Sequence, residues 1–197
     1  MFAPSLLLAA VLALGASAQT YKASFTMYGA GDSFGSPNCN TNTAACGFYT
    51  KPGYSAAVSQ NVYGVVSRMS DGNTGDMLTL PQGKLTIQTN SSGNKVSNAG
   101  NSIVVKVNNL CPGMLPFPLS RPTPMPSRTD ETGSANGNPL CAQSSTSATN
   151  QYGANVNFDT CKDSGASAAL FGNSGVGLGV GTATKVDCSQ WSGTIIH

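Results

Sequence analysis

The chain has 197 residues, of which only 9% are charged, and its formal net charge is +2. It contains no run of basic residues and no interleaving of basic with aromatic residues, so nucleic acid is not an expected partner. The abundance of Ser, Thr, Asn, Gln and Gly instead suits a neutral ligand such as a sugar, which is met by hydrogen bonds and aromatic faces.

The first eighteen residues predict a cleaved secretion signal. The apolar run at residues 6–14 is too short to span a bilayer and is followed by Ala16-Ser17-Ala18, a small-x-small cleavage pattern. Lys and Arg are missing before the run, so a short buried helix or a membrane anchor is the alternative. We expect a signal peptide over residues 1–18 and one exported domain over residues 19–197, with no membrane association. In an exported chain, Asn90-Ser91-Ser92 would be the one N-glycosylation sequon, and the sequence does not decide whether it is glycosylated.

The first half of the mature chain predicts three strands and one helix. Residues 22–28 alternate as a strand and lead into a polar, Gly-rich loop over residues 32–45. Residues 55–63 predict a short helix with Ser55 as its N-cap. Two further strands are expected at residues 84–89 and 103–107, joined by a turn-rich connection over residues 91–100.

The second half predicts loops, short strands and a short helix. Residues 120–137 contain three prolines and no apolar period, which indicates a long exposed loop. A short strand at residues 155–158, a helix at residues 164–171 ending at Gly172, and a last strand at residues 180–188 follow. Many short strands with long Gly-rich loops favour a mostly β, small-barrel domain.

The cysteines predict a disulfide framework. They are Cys39, Cys46, Cys111, Cys141, Cys161 and Cys188. An even count in an exported chain indicates three disulfides, but six cysteines allow fifteen pairings and the sequence does not choose among them. No C-x-x-C pair occurs and His197 is the single histidine, so neither a metal site nor a cofactor is expected.

Several segments in a fixed order resemble a known family. They are residues 23–28 with the Gly-Ser-Pro-Asn-Cys loop and residues 53–57, then residues 103–112, then residues 149–153, 157–163 and 188–193. Together they resemble the fungal glycoside hydrolase family 45 endoglucanases, in particular the basidiomycete-type subfamily, and their non-hydrolytic relatives, the expansins and loosenins. The resemblance implies a six-stranded double-psi β-barrel, disulfide-stapled, whose groove holds a β-glucan chain. It implies a secreted, monomeric protein.

By this resemblance Asp159 matches the catalytic acid of the family. The family inverts: a protonated carboxyl donates to the glycosidic oxygen while a base activates water. Asp159 follows Phe158 on a predicted strand and precedes Cys161 by two residues, which would hold the carboxyl in place. The alternative is an aspartate that caps a turn or pairs with Lys162.

The base is harder to assign. The first strand, Phe25-Thr26-Met27-Tyr28, has no carboxyl where the larger family has an Asp. The basidiomycete-type subfamily also lacks it, and an Asn in a loop before a cysteine is thought to serve there. The matching loop leaves two candidates, Asn136 and Asn138, and an Asn with a purely structural role in a turn is the alternative.

The resemblance also implies residues that contact the sugar. They are Trp191, Tyr28, Thr26, Asn109 and Tyr152. Trp191 is the single Trp, and its indole face would stack on a pyranose, although it could instead be a core residue at the barrel edge. Asn109 replaces an Asp of the subfamily, and the Cys-Gly-x-Cys expected after Gly75-Asp76 is missing.

Two functions follow from these observations. The first is a secreted endo-β-1,4-glucanase-like hydrolase acting on cellulose or related β-glucans, favoured by the retention of Asp159 and its flanks. The second is an expansin- or loosenin-like protein that binds glucan and loosens cell walls without hydrolysis, favoured by Asn109. A secreted effector or inhibitor that kept only the barrel is a third reading.

Overall fold

A computed structural model describes residues 18–42, 44–63, 82–113, 138–172 and 177–196. Nearly all of the predicted signal peptide, the predicted loop over residues 120–137, and the Gly75-Asp76 segment lie outside these ranges. Asn136 and His197 also lie outside them. No helix within the described ranges is both long and apolar enough to cross a membrane.

Strands dominate the described residues. The six longer strands are β1 (Thr20–Tyr28), β3 (Ser55–Ser59), β4 (Gln82–Asn90), β5 (Ser102–Cys111), β6 (Val156–Cys161) and β7 (Gly179–Val186). The short strands β2 (Tyr49–Thr50) and β8 (Ile195–Ile196) pair with each other, and the helices are α1 (Gln60–Tyr63) and α2 (Ala166–Phe171). Two 3-10 turns, Pro139–Cys141 and Cys188–Gln190, complete the described elements.

The six longer strands pair in a ring, in the order β1-β6-β3-β5-β4-β7. The β1–β6 and β3–β5 pairs are parallel, and the other four pairs are antiparallel. The ring is irregular, because the register shifts between Ala56 and Ala57 and between Ile87 and Thr89. The predicted fold class, a mostly β six-stranded double-psi barrel with short helices, is confirmed.

The barrel interior is apolar because strands send alternate side chains inward. The fully buried members of this core include Phe25, Val58, Leu85, Ile87, Val105 and Val156. Helix α2 adds Leu170 and Phe171 to the same cluster. The intervening residues of β1, β3 and β6 therefore face outward, and these are the positions that carry the polar side chains described below.

The helix predicted at residues 55–63 is wrong over most of its length. Residues Ser55–Ser59 form β3, and only Gln60–Tyr63 is helical. All five residues of β3 are buried, since the strand lies between β5 and β6 and bonds to both. Pairing on both sides outweighs the local preference for a helix.

The prediction of three disulfides is also wrong. Two bridges form, Cys39–Cys161 and Cys111–Cys141, whereas Cys46 and Cys188 carry free thiols. The Cys46 sulfur is buried in the core, 3.0 Å from the Tyr63 hydroxyl, while Cys188 is exposed in the turn after β7. Two bridges still fit an oxidising, extracellular setting.

We expect one reactive thiol in the folded protein and two after unfolding without reductant. Burial raises the pKa of Cys46 to about 11, against the opposing effects of the Tyr63 hydrogen bond and the Lys106 charge. Because the thiolate is the nucleophile, Cys46 should stay unmodified at pH 8 while Cys188 reacts. Alkylation followed by peptide mass spectrometry, with and without denaturant, measures both counts. Protection of Cys188 in the unfolded chain would instead reveal a third bridge.

Candidate functional site

Four residues from neighbouring strands form a row across the outside of the barrel. Thr26 of β1 pairs with Asp159 of β6, Asp159 with Ala57 of β3, and Ala57 with Asn109 of β5. Residues paired in this way share one face of the sheet. This set is called the Asp159 row. Asp159 is 2% exposed and Asn109 is 3% exposed, whereas Thr26 is partly exposed.

The two disulfides lie on opposite sides of the Asp159 row. Cys161 follows Asp159 by two residues on β6, and Cys111 follows Asn109 by two residues on β5. Because β3 is antiparallel to β6 but parallel to β5, the two cysteines lie beyond opposite sides of the row. The backbone around the Asp159 carboxyl is therefore held by covalent links on both flanks.

The polar groups of Tyr28 and Asn109 form hydrogen bonds within the protein. Tyr28 is 1% exposed, and its hydroxyl accepts a hydrogen bond from Asn109 Nδ2 at 3.4 Å. Asn109 Oδ1 accepts the backbone N–H groups of Ala45 and Leu110 at 2.9 and 3.0 Å. Since β6 and β3 lie between β1 and β5, the Tyr28 side chain reaches across the outside of both strands. Contact of either residue with a sugar stays a prediction.

A chain of polar side chains ends at Thr26. Asn150 Nδ2 donates to Ser24 Oγ at 2.8 Å, and Ser24 Oγ donates to Asn157 Oδ1 at 2.7 Å. Asn157 Nδ2 then donates to Thr26 Oγ1 at 3.0 Å. Every bond in this chain points toward Thr26, so the Thr26 hydroxyl, which already accepts, keeps its own proton to donate. That donor stands directly beside Asp159 in the row.

Sequence reasoning missed Ser24, Asn150 and Asn157. The available signal was the alternation of the first strand, which places the hydroxyls of Ser24 and Thr26 on the same face. Asn157 stands two residues before Asp159 and shares its face for the same reason. Tyr152, which was predicted to contact sugar, is partly exposed beside this chain, and its backbone N–H donates to Asn150 Oδ1 at 3.1 Å.

Asn138 caps the 3-10 turn that carries Cys141. Its Oδ1 accepts the Leu140 N–H at 2.9 Å, and its backbone N–H donates to Pro112 O at 2.9 Å. Asn150 Nδ2 also donates to Leu140 O at 3.2 Å, which links this turn to the polar chain of Thr26. The placement matches the structural alternative, and a catalytic role for Asn138 or Asn136 stays a prediction.

The other described aspartates hold loops or turns. Asp163 Oδ2 accepts the backbone N–H groups of Ala30 and Cys39 at 3.0 and 2.8 Å. Asp163 also lies near the sulfurs of Cys39 and Cys161, as metal ligands would. Those sulfurs are joined to each other, and the carboxylate oxygen is occupied by amides, so these atoms do not suit a metal ion.

Asp32 and Asp187 are acceptors of the same kind. Burial raises the pKa of Asp32, but hydrogen bonds from Ser36, Phe34 and Gly29 outweigh it, and the pKa lies below the usual value. The backbone N–H of Ser189 lowers the pKa of Asp187, which is the N-cap of the turn Cys188–Gln190. Among the described aspartates, Asp159 alone lies within a barrel strand.

Trp191 is fixed at the edge of a surface trough. Its Nε1 donates to Tyr54 O at 3.0 Å. A Cβ added at Gly53 or Gly193 would collide with Trp191 Cζ2, so only glycine allows the ring this position. The indole is therefore pinned by backbone on one side, and its remaining surface lines a cavity of about 450 Å³.

This cavity continues into a second one of about 400 Å³, since both are lined by Tyr54, Val104 and Ser192. Together they are called the Trp191 trough. Uncharged polar side chains line both ends, among them Asn40 and Ser164 at one end and Asn101, Ser102 and Gln190 at the other. The first end also includes the charged residues Lys51 and Asp163. Tyr54 precedes Ala57 by three residues, so the trough lies roughly 10 Å along β3 from the Asp159 row.

Comparison with known proteins bears on the family. No curated protein is significantly similar to this sequence. The chain resembles the structure of β-1,4-D-endoglucanase Cel45A from the blue mussel Mytilus edulis, at 18% identity and a TM-score of 0.40 over 91% of this chain and 80% of that one. The family model described as EXPB1-like domain 1 matches residues 23–124 and 127–193. Since this match covers most of the sequence, the chain belongs to the EXPB1-like domain 1 family, which is related to the expansins.

Proposed function

We propose that this protein acts outside the cell on β-1,4-glucan, as an endoglucanase-like hydrolase that inverts the anomeric centre. Asp159 is the general acid. The observation that carries the proposal is the position of this carboxyl, in mid-strand and between two disulfide-held flanks. A general acid has to be held within hydrogen-bond reach of the leaving oxygen. Removal of a carboxyl from water disfavours its charged form, which suits a proton donor.

In the proposed reaction Asp159 gives its proton to the glycosidic oxygen as the bond to the anomeric carbon breaks. A water molecule attacks that carbon from the opposite side and gives up a proton to a base. Thr26, whose hydroxyl donates to no side chain within the described ranges, would bind a sugar oxygen beside Asp159. Asn136 and Asn138 are the candidates for the base that takes this proton, and Asn138 would have to release the Leu140 N–H to do so.

The Trp191 trough is the proposed platform for the rest of the glucan. A pinned indole offers a rigid aromatic surface, which loses little conformational freedom when a pyranose stacks on it. Apart from Lys51 and Asp163, the polar lining of the trough consists of uncharged groups, mostly amides and hydroxyls, which match the hydroxyls of a neutral polysaccharide.

Trp191→Ala should weaken binding to insoluble β-glucan about tenfold, because a stacking contact worth about 1.4 kcal/mol is lost. Phe34→Ala is the matched control, since it removes a ring that is 76% exposed and lies outside the lining of the trough. Pull-down isotherms with cellulose measure both. Equal losses for the two variants would mean that exposed aromatic surface, rather than the trough, drives adsorption.

A second candidate function is glucan binding and wall loosening without hydrolysis. One observation favours it: the described residues around the Asp159 row include no second carboxyl free to act as a base. Asp32, Asp163 and Asp187 each serve a loop or turn. The amide of Asn109 is occupied by Ala45, Leu110 and Tyr28.

The deciding experiment follows the stereochemistry of the product. Wild-type protein is incubated with a soluble β-1,4-glucan, while reducing ends and the anomeric proton signals are recorded in the first minutes. Release of the α-anomer supports the inverting hydrolase. Background release together with firm cellulose binding and weakening of filter paper supports the second candidate, and initial release of the β-anomer contradicts both.

A further inference from the structure

We propose that Asn90 is a glycosylation site, bearing an asparagine-linked glycan on the side of the barrel away from the Asp159 row. Asn90 is the last residue of β4 and begins the sequon Asn90-Ser91-Ser92. The inference rests on the predicted export of the chain and not on its proposed action on glucan.

The local geometry presents the amide nitrogen of Asn90. Its Oδ1 accepts the backbone N–H groups of Ser92 and Asn94, both at 3.0 Å. The backbone closes the same turn, since Asn90 N donates to Asn94 O at 2.9 Å and Gly93 N donates to Asn90 O at 3.1 Å. With the oxygen of this planar group held in the turn, Nδ2 is directed away from it, and no described residue accepts a hydrogen bond from Nδ2.

The surroundings have room for a large, solvated substituent. Residues 91–95 are all exposed. Gly93 has a φ of 80°, a left-handed conformation that glycine adopts without strain. The turn is therefore formed by its own residues. The Ser92 hydroxyl, which the sequon requires, makes no hydrogen bond within the described part of the chain. A glycan here would be met by water rather than by packed side chains.

The barrel order places this site far from the Asp159 row. In the ring β1-β6-β3-β5-β4-β7, β4 is three strands from β6 in either direction. Asn90 therefore lies on the strand opposite the one that carries Asp159. A glycan at this position would enlarge the solvated surface without covering the proposed catalytic face.

The transfer itself is chemically simple. Asn90 Nδ2 forms a bond to C1 of the first sugar, while the bond from C1 to the phosphate oxygen of a lipid-pyrophosphate oligosaccharide breaks. One proton of Nδ2 passes to a base of the transferase, and the lipid pyrophosphate leaves. The oligosaccharide donor is supplied by the secretory machinery of a glycosylating cell.

The test is expression of the full chain, with its own N-terminal segment, in a eukaryotic host that glycosylates secreted proteins. We expect secreted protein whose intact mass falls by one glycan after peptide N-glycosidase treatment, leaving Asp at position 90. Ser92→Ala, which keeps the Asn90 turn, should abolish the shift, and Asn94→Gln should not. Export without the shift, failure of export, or a shift that persists in Ser92→Ala would overturn the proposal.

Discussion

Replacement of Cys39 and Cys161 together by serine should lower the free energy of unfolding by about 5 kcal/mol. The bridge joins residues 122 positions apart, so it removes much of the freedom of the unfolded chain. The Cys111–Cys141 bridge spans only 30 positions, and its loss should cost about 3.6 kcal/mol by the same reasoning. The order of these two effects is the sharper prediction, because it depends on loop length alone.

Denaturant unfolding of both double-serine variants measures the difference. Both cysteines are changed in each variant, so no new thiol can pair with Cys46 or Cys188. Phe34→Ser, an exposed change in a loop, is the control for the loss of a side chain without the loss of a bridge. An equal or larger effect of the shorter bridge would show that packing beside Asn138 and Leu140, rather than chain entropy, dominates.

Asp159→Asn should reduce the rate of glucan hydrolysis by about 10²- to 10⁴-fold, the usual contribution of a general acid. The amide has nearly the same shape as the carboxyl but has no acidic proton to transfer. Binding to insoluble glucan should therefore be unchanged, so that the turnover number falls while the affinity does not. Reducing-end assays and pull-down on the same preparations separate these two quantities.

Asp32→Asn is the matched control for this variant. It makes the same chemical change at a loop carboxylate that accepts the backbone N–H groups of Phe34 and Ser36 and lies outside the lining of the trough. It should cost about 1–3 kcal/mol of stability through the weakened acceptor, with turnover largely retained at a temperature where the variant is folded. More than a tenth of wild-type turnover in Asp159→Asn would remove Asp159 from the role of acid.

The strands that the sequence predicted well are those in which apolar and polar residues alternate. The strand predicted at residues 22–28 is the core of Thr20–Tyr28, and the strand predicted at residues 103–107 lies within Ser102–Cys111. Strand β3 was missed because small residues without alternation are buried on both sides, and only the neighbouring strands determine their conformation. The pairing of the cysteines depends in the same way on contacts between distant segments.

The sequence predicted individual residues of the candidate site but not how they are arranged in space. Asp159 was found through its motif, but its place between Thr26 and Ala57 depends on register, which a single sequence does not reveal. The buried contacts of Asn109 and the cap at Asn138 arise from backbone groups that only the fold brings near. Trp191 is fixed by two glycines, one of them more than a hundred residues away in the chain.

The two parallel strand pairs have a consequence for how the chain folds. The pairing of Ala23 with Val156 joins the first strand of the barrel to one near the C-terminus, so the ring cannot close until most of the chain has been synthesised. Contacts between such distant segments slow folding and prolong the exposure of apolar surface. During that interval the Cys39 thiol cannot yet pair with Cys161, whereas the thiols of Cys46 and Cys111 are accessible to it. We therefore expect oxidative refolding to be slow and to pass through mispaired species that an isomerase resolves.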